Sequence, residues 1–155
     1  MKEEKINQFL KDKKLVKKIP DIEIVKSLII SAEETMDTQL QIPLTEKSAT
    51  SIFRETYESL RQIGDSLWWQ IGYETQTHDA SIESIKDSEF LSSEQKVKTN
   101  SLDRFRTIRH DANYRGFKVS IVQAQEIIEF WKFVGKPLLL KIKKTMRHPT
   151  LKGRV

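Results

Sequence analysis

Four arginines, a histidine, an asparagine and a tyrosine fall within the stretch Arg104-Phe105-Arg106-Thr107-Ile108-Arg109-His110-Asp111-Ala112-Asn113-Tyr114-Arg115-Gly116. Guanidinium groups offer fixed forks of donors that match phosphate oxygens, and an imidazole changes charge near neutrality. With Asp111 as its lone acid, the stretch suits a phosphate or a nucleotide. On a helix each residue advances about 100°. Arg106 and His110 therefore share a face, Arg104 lies about 120° from His110, Arg109 comes round between them, and Tyr114 falls in the last turn. The candidate nucleotide- or RNA-binding set is Arg104, Arg106, Arg109, His110, Asn113 and Tyr114. Arg109 and His110, neighbours on the helix, diverge by about 100°, so one chain does not aim both at one phosphate. The plainer alternative is a solvated surface helix that is merely rich in arginine.

The elements that must position these residues can be read from capping and periodicity. Ser92-Ser93-Glu94-Gln95 is a capping box, and it predicts a helix from Ser93 to Asn113. Its apolar side is Val97, Leu102, Phe105 and Ile108, with Ala112 continuing it and Gly116 as a left-handed stop. Ser120 with Gln123 repeats the box and starts a last long helix, kinked at Gly135-Lys136-Pro137. Upstream, apolar residues recur at helical spacing from Asp21 to Thr38 and again from Thr45, an N-cap type, to Ile71. Gly64 marks a close helix crossing in that second stripe. Of Trp68 and Trp69 only one can sit squarely in the core, and Trp68 is assigned to it. A shorter helix is expected from His78 to about Phe90, capped by Asp79 or Ser81, and a short amphipathic helix within Lys2 to Lys18. No segment alternates apolar with polar and no hairpin dipeptide is present, so no strand is expected. The fold class is all-α, an up-and-down bundle of four to five helices. Residues 1–19 form a basic N-terminal helix or arm, 20–145 the bundle, and 146–155 a basic tail.

Composition narrows the chemistry. The 155 residues suit one domain, and the absence of cysteine excludes thiol, zinc-thiolate and disulfide chemistry. His78, His110 and His148 lack ligand spacing, so no metal and no cofactor are expected. No apolar run approaches the ~20 residues that span a bilayer, and the N-terminus has no signal core, so a cytoplasmic protein without membrane contact is expected. The net charge of +5 is uneven. Glu33 to Lys98 carries thirteen acids against six bases, whereas eight bases and no acid follow Glu129. A basic end on an acidic body is a footprint for nucleic acid or an acidic partner, with a solvated tail as the plainer alternative.

Arg109-His110-Asp111-Ala112-Asn113-Tyr114-Arg115-Gly116 resembles the signature of the HEPN domain family (higher eukaryote and prokaryote nucleotide-binding), and the helix order over roughly Asp21 to Lys144 is similar. Arg109 matches the family's arginine near the end of the penultimate long helix, His110 its polar neighbour, and Tyr114 with Gly116 the Tyr-x-Gly ending. His78 matches a histidine often found before the third helix, although local capping is its expected role. The resemblance implies a HEPN-like bundle and a homodimer with its site near the two-fold axis. It also implies RNA or a nucleotide as ligand and, for many members, metal-independent ribonuclease activity. A small nucleotidyltransferase is a frequent partner in toxin–antitoxin modules. One departure matters. The family's catalytic histidine would stand a few residues after Arg109, where this chain has Asn113, Tyr114 and Arg115, and a phenol, titrating at about 10, is a poor base near neutrality. The expectation is therefore a non-catalytic nucleotide- or RNA-binding module. The alternative is a metal-independent ribonuclease using Arg109 and His110 across a dimer.

Overall fold

A computed structural model describes residues 1–147; His148 to Val155, and with them most of the expected basic tail, lie outside the described residues. In chain order the elements are α1 (Glu3–Lys11), β1 (Leu15–Lys17), α2 (Ile22–Gln39), α3 (Ala49–Gln70), β2 (Tyr73–Thr75), α4 (His78–Lys86), α5 (Ser93–Lys98), α6 (Leu102–Tyr114), α7 (Ile121–Phe130) and α8 (Lys136–Arg147). This is an all-α bundle built around α3, which packs against α2, α4, α6 and α7, while α8 lies along α2. Helix starts follow local chemistry. Asp21 caps α2 by accepting from Glu23 and Ile24, and Ser92 and Ser120 form complete capping boxes with Gln95 and Gln123. Thr45 and Ser48 cap each other's backbone N–H just ahead of α3. Val25, Ile29 and Met36 of α2 meet Phe53, Leu60 and Ile63 of α3 in one core, each such side chain contributing roughly 1.5–3 kcal/mol on burial.

Gly64 confirms the close crossing. A Cβ there would overlap the Ser81 carbonyl oxygen and sit 2.7 Å from its carbon, so α3 and α4 touch backbone to backbone. Trp68 is buried and its indole N–H donates to the Ala80 carbonyl at 2.7 Å, closing a second apolar cluster with Phe9 and Leu15. Pro137 leaves the Phe133 carbonyl, four residues earlier, without its helical donor. The backbone widens into a π turn over Trp131–Gly135, and the Gln95 side-chain amide fills the gap, donating to Phe133 O at 2.9 Å.

Several expectations need correction. Two strands do form: β1 and β2 pair antiparallel over three residues each, Val16 opposite Glu74. They are too short for alternation to register. The N-terminal helix stops at Lys11, and Lys13 turns the chain with a φ of 58° before β1. The helix expected from Ser93 to Asn113 is interrupted by a 3-10 turn, Thr99–Ser101, which rotates the register and leaves Val97 68% exposed. Neither Asp79 nor Ser81 caps α4, which starts at His78 and ends at Lys86. Asp79 pairs with Lys14, and Ser81 bonds to Asp65.

Candidate functional site

Three faces of α6 separate the arginine stretch. Arg104 turns toward α7, forks onto the Glu126 carboxylate and lies over the Phe105 ring with 5.3 Å between guanidinium carbon and centroid. It does not converge with the other candidates, as its angular offset requires. Arg106 and Arg109, three apart, lie on the opposite flank. Unlike Arg61, Arg104 and Arg115, they pair with no carboxylate among the described residues. His110 is exposed and turns to Tyr114, ring centroids 4.8 Å apart; Tyr114 is 71% exposed and Asn113 also faces solvent. The helix is closed by Gly116 at a φ of 68°, and Arg54 from α3 donates to the Ala112 carbonyl at 2.9 Å.

Arg109 leads to the centre of the site. Its guanidinium sits 5.8 Å from the ring centroid of Tyr57, a buried residue of α3, and His78 stacks on the same phenol with centroids 5.8 Å apart and planes at 23°. The Tyr57 hydroxyl lies 3.4 Å from His78 Nδ1. Burial pushes the Tyr57 phenol up, more than the Arg109, Arg106 and Arg61 charges pull it down, so it keeps its proton. Burial, then the charges of Arg109 and Arg61, hold the His78 imidazole below its ordinary value. Burial also pushes the Glu58 carboxyl up, but Arg61, with His78 and Arg109 behind it, outweighs this and holds it down. The group thus joins α3, the start of α4 and α6.

A buried carboxylate fixes this geometry. Asp65, 7% exposed, accepts from Arg61, from Thr75 Oγ1 at 2.6 Å and from Ser81 Oγ. Thr75 and Ser81 flank the connection that carries His78, so Asp65 pins both ends of it. Ser84 Oγ donates to the Gly64 carbonyl at 2.9 Å, and Lys14 holds Asp79 at 2.5 Å. Arg61 meanwhile bonds Glu58 through Nε at 3.0 Å. Glu58, Asp65 and Asp79 each already have a cation, whereas Arg106 and Arg109 have no carboxylate partner among the described residues.

His78 therefore acts in a packed cluster with Tyr57 and Arg109 instead of capping a helix in solvent. Tyr57 continues the stripe of Phe53 and Leu60 and is legible in the sequence only as core. Asp65 lies about 200° from Ile63 along the helix, off the apolar stripe, and its burial carries no sequence signal. Among the described residues no group of three His, Asp or Glu side chains is placed to hold a metal ion, and no helix is long and apolar enough to cross a membrane. No family model, no curated protein and no solved structure matches the chain.

Proposed function

We propose that this chain is a HEPN-like module that binds RNA or a nucleotide through the Arg106–Arg109 flank of α6 and does not cleave it. The observation that carries this reading is the pair of guanidiniums without carboxylate partners among the described residues, Arg109 lying over Tyr57, on which His78 also stacks, where α3, α4 and α6 meet. Each arginine is a ready phosphate donor, and Glu58, Asp65 and Asp79 are already engaged by other cations. The Lys141, Lys143 and Lys144 region of α8 adds positive charge, although Lys143 is engaged by Glu33 and Lys141 by the Phe90 carbonyl. The reading extends, on the resemblance alone, to a place beside a nucleotidyltransferase in a toxin–antitoxin module. A second copy of the chain is its nearest partner: Tyr114, Phe117, Ile121 and Val122 stand exposed around the α6–α7 turn. Sedimentation at micromolar concentration is expected to give about twice the chain mass, and a strict monomer removes the dimer from the reading.

Fluorescence anisotropy with a labelled single-stranded RNA across a salt series tests binding. Arg106→Ala and Arg109→Ala should each weaken it and reduce the log–log salt slope by about 0.7. Arg104→Ala, whose charge is spent on Glu126, should change it little. Equal losses at all three positions would mean a diffuse basic surface. Cleavage by Arg109 and His110 has less support, because His110 is turned to Tyr114 and diverges by about 100° from Arg109 along the helix. Incubating a mixed RNA pool in EDTA should leave it intact; cleavage abolished by Arg109→Ala or His110→Ala reverses the ranking.

A further inference from the structure

We propose that His78, Arg109 and Arg106 form one site for a phosphate monoester, such as a nucleotide's terminal phosphate or a phosphorylated RNA end, with His78 Nε2–H as a donor to it. The proposal rests on the binding reading above and names its ligand class. Tyr57 is buried, retains its proton, and has His78 Nδ1 as its hydroxyl's one hydrogen-bonding partner among the described residues. A phenol donating to Nδ1 makes that nitrogen the acceptor and places the neutral ring's proton on Nε2. The half-buried imidazole then offers a donor, beside guanidiniums that are donors only.

The charges around His78 are few and can be counted. From α3 it is faced by Glu58, Arg61 and Asp65, and from α6 by Arg109; Asp79 on its own helix is paired with Lys14. With Arg106, four cations stand against the carboxylates of Glu58, Asp65 and Asp79 and, beyond Lys14, that of Asp12. A neutral His78 leaves the cluster in balance and a protonated one leaves one positive charge in excess. A bound dianion therefore favours protonation of His78. Its place as first residue of α4, whose N-cap Thr77 makes no side-chain cap bond, puts the helix's positive end on the same side of the balance. A diester within a strand brings one charge and two free oxygens, which Arg106 and Arg109 can satisfy alone. A monoester brings a further oxygen and a further charge, and His78 gives both a partner. Glu58, Asp65 and Asp79 are already engaged by cations, so recognition centres on the phosphate.

The test compares one short RNA carrying a 5′-phosphate, a 3′-phosphate or neither, with a nucleoside 5′-monophosphate and inorganic phosphate as competitors. Wild-type protein should prefer a phosphorylated end by roughly 10-fold or more, the scale of a charge-assisted hydrogen bond. Competition by the mononucleotide identifies a free nucleotide as the source, and its failure identifies the RNA end. His78→Gln should abolish the preference, its loss of affinity falling on the phosphorylated RNAs. Nitrogen-15 NMR of the wild-type imidazole should show its titration moving to higher pH when the preferred phosphorylated RNA is added, which a purely structural histidine would not do. Equal affinity for all three RNAs, a preference that survives His78→Gln, or an imidazole titration that ignores the phosphorylated RNA overturns the proposal and leaves general RNA binding standing. Absence of binding to every RNA overturns both.

Discussion

Replacing Gly64 with alanine puts one methyl group where α3 meets α4. Two effects oppose each other. Alanine favours a helix interior over glycine by about 1 kcal/mol. Against this, the new Cβ overlaps the Ser81 carbonyl oxygen, and the Ser81 carbonyl carbon stands only 2.7 Å away. These are backbone atoms, which cannot rotate aside as a side chain would. Overpacking of this kind costs about 1–3 kcal/mol or more. Separating the helices also stretches the Ser84–Gly64 bond of 2.9 Å and the Ser81–Asp65 bond, each worth about 1 kcal/mol. The net loss should be about 2–4 kcal/mol, a large part of a typical domain's 5–15 kcal/mol. For a chain of this length that lowers Tm by roughly 5–15 °C. Urea denaturation followed by circular dichroism measures it. Because α4 begins at His78, folded Gly64→Ala protein should also lose its preference for a phosphorylated RNA end while Arg106-dependent binding persists. Gly116→Ala is the control: nothing stands within 4 Å of its Cβ, and its cost is the left-handed backbone alone, about 1–2 kcal/mol. Unchanged or increased stability in Gly64→Ala would show that the two helices do not touch there.

Asp65→Ala removes three hydrogen bonds, one of them from a guanidinium, and should cost about 3 kcal/mol by urea denaturation; a loss under about 1 kcal/mol would deny it the role of clamp. Gln95→Ala strips the Phe133 carbonyl of its donor and should cost about 1–2 kcal/mol, more than Gln123→Ala, whose amide reaches no such carbonyl; equal losses would mean that only the capping boxes matter. Glu33 is held below the ordinary carboxyl range, first by the hydrogen bond from Lys143 and then by Lys136, against the opposing effect of burial. A depressed carboxyl adds stability above its unfolded value and loses it as pH falls through the folded one, so Glu33→Gln should flatten the stability curve between about pH 5 and pH 3. His78, depressed as a base, acts on the same side but earlier, lowering stability as pH falls below about 6.5; His78→Gln should remove that first step alone, and an unchanged profile would place His78 in solvent.

The helices were legible because their signals are local. Capping boxes at Ser92 and Ser120, the apolar stripe from Val25 to Met36, and the Gly116 stop each depend on residues within a turn or two. What escaped depends on partners far along the chain. The three-residue strands exist because Lys14 to Lys18 finds Gly72 to Gln76, a pairing no periodicity reveals. The 3-10 turn at Thr99 follows no breaker, and it spoils the register that would have buried Val97. In the site, helical angles set Arg104 about 120° from His110 and His110 about 100° from Arg109. They could not show that Arg104 meets Glu126, or that the empty place beside Arg109 is filled by Tyr57 and His78 from two other helices.

Binding and cleavage make opposite demands on an imidazole. A general base must present an unprotonated nitrogen to the ribose hydroxyl, whereas a phosphate clamp must present a proton. In the neutral ring, with the Tyr57 hydroxyl donating to His78 Nδ1, the nitrogen left for a ligand is the one that carries hydrogen. Baring Nε2, or protonating the ring, makes Tyr57 accept from Nδ1–H and leaves its buried phenol proton without a partner among the described residues, at a cost of about 1–3 kcal/mol; a bound dianion offsets that cost for the imidazolium, and nothing offsets it for the base. His110 escapes that constraint but stands on a different flank from Arg109, with its ring against Tyr114. The junction of α3, α4 and α6 brings the arginine, the imidazole and the phenol together, and the proposal made above assigns that arrangement to holding a phosphate and gives it no base.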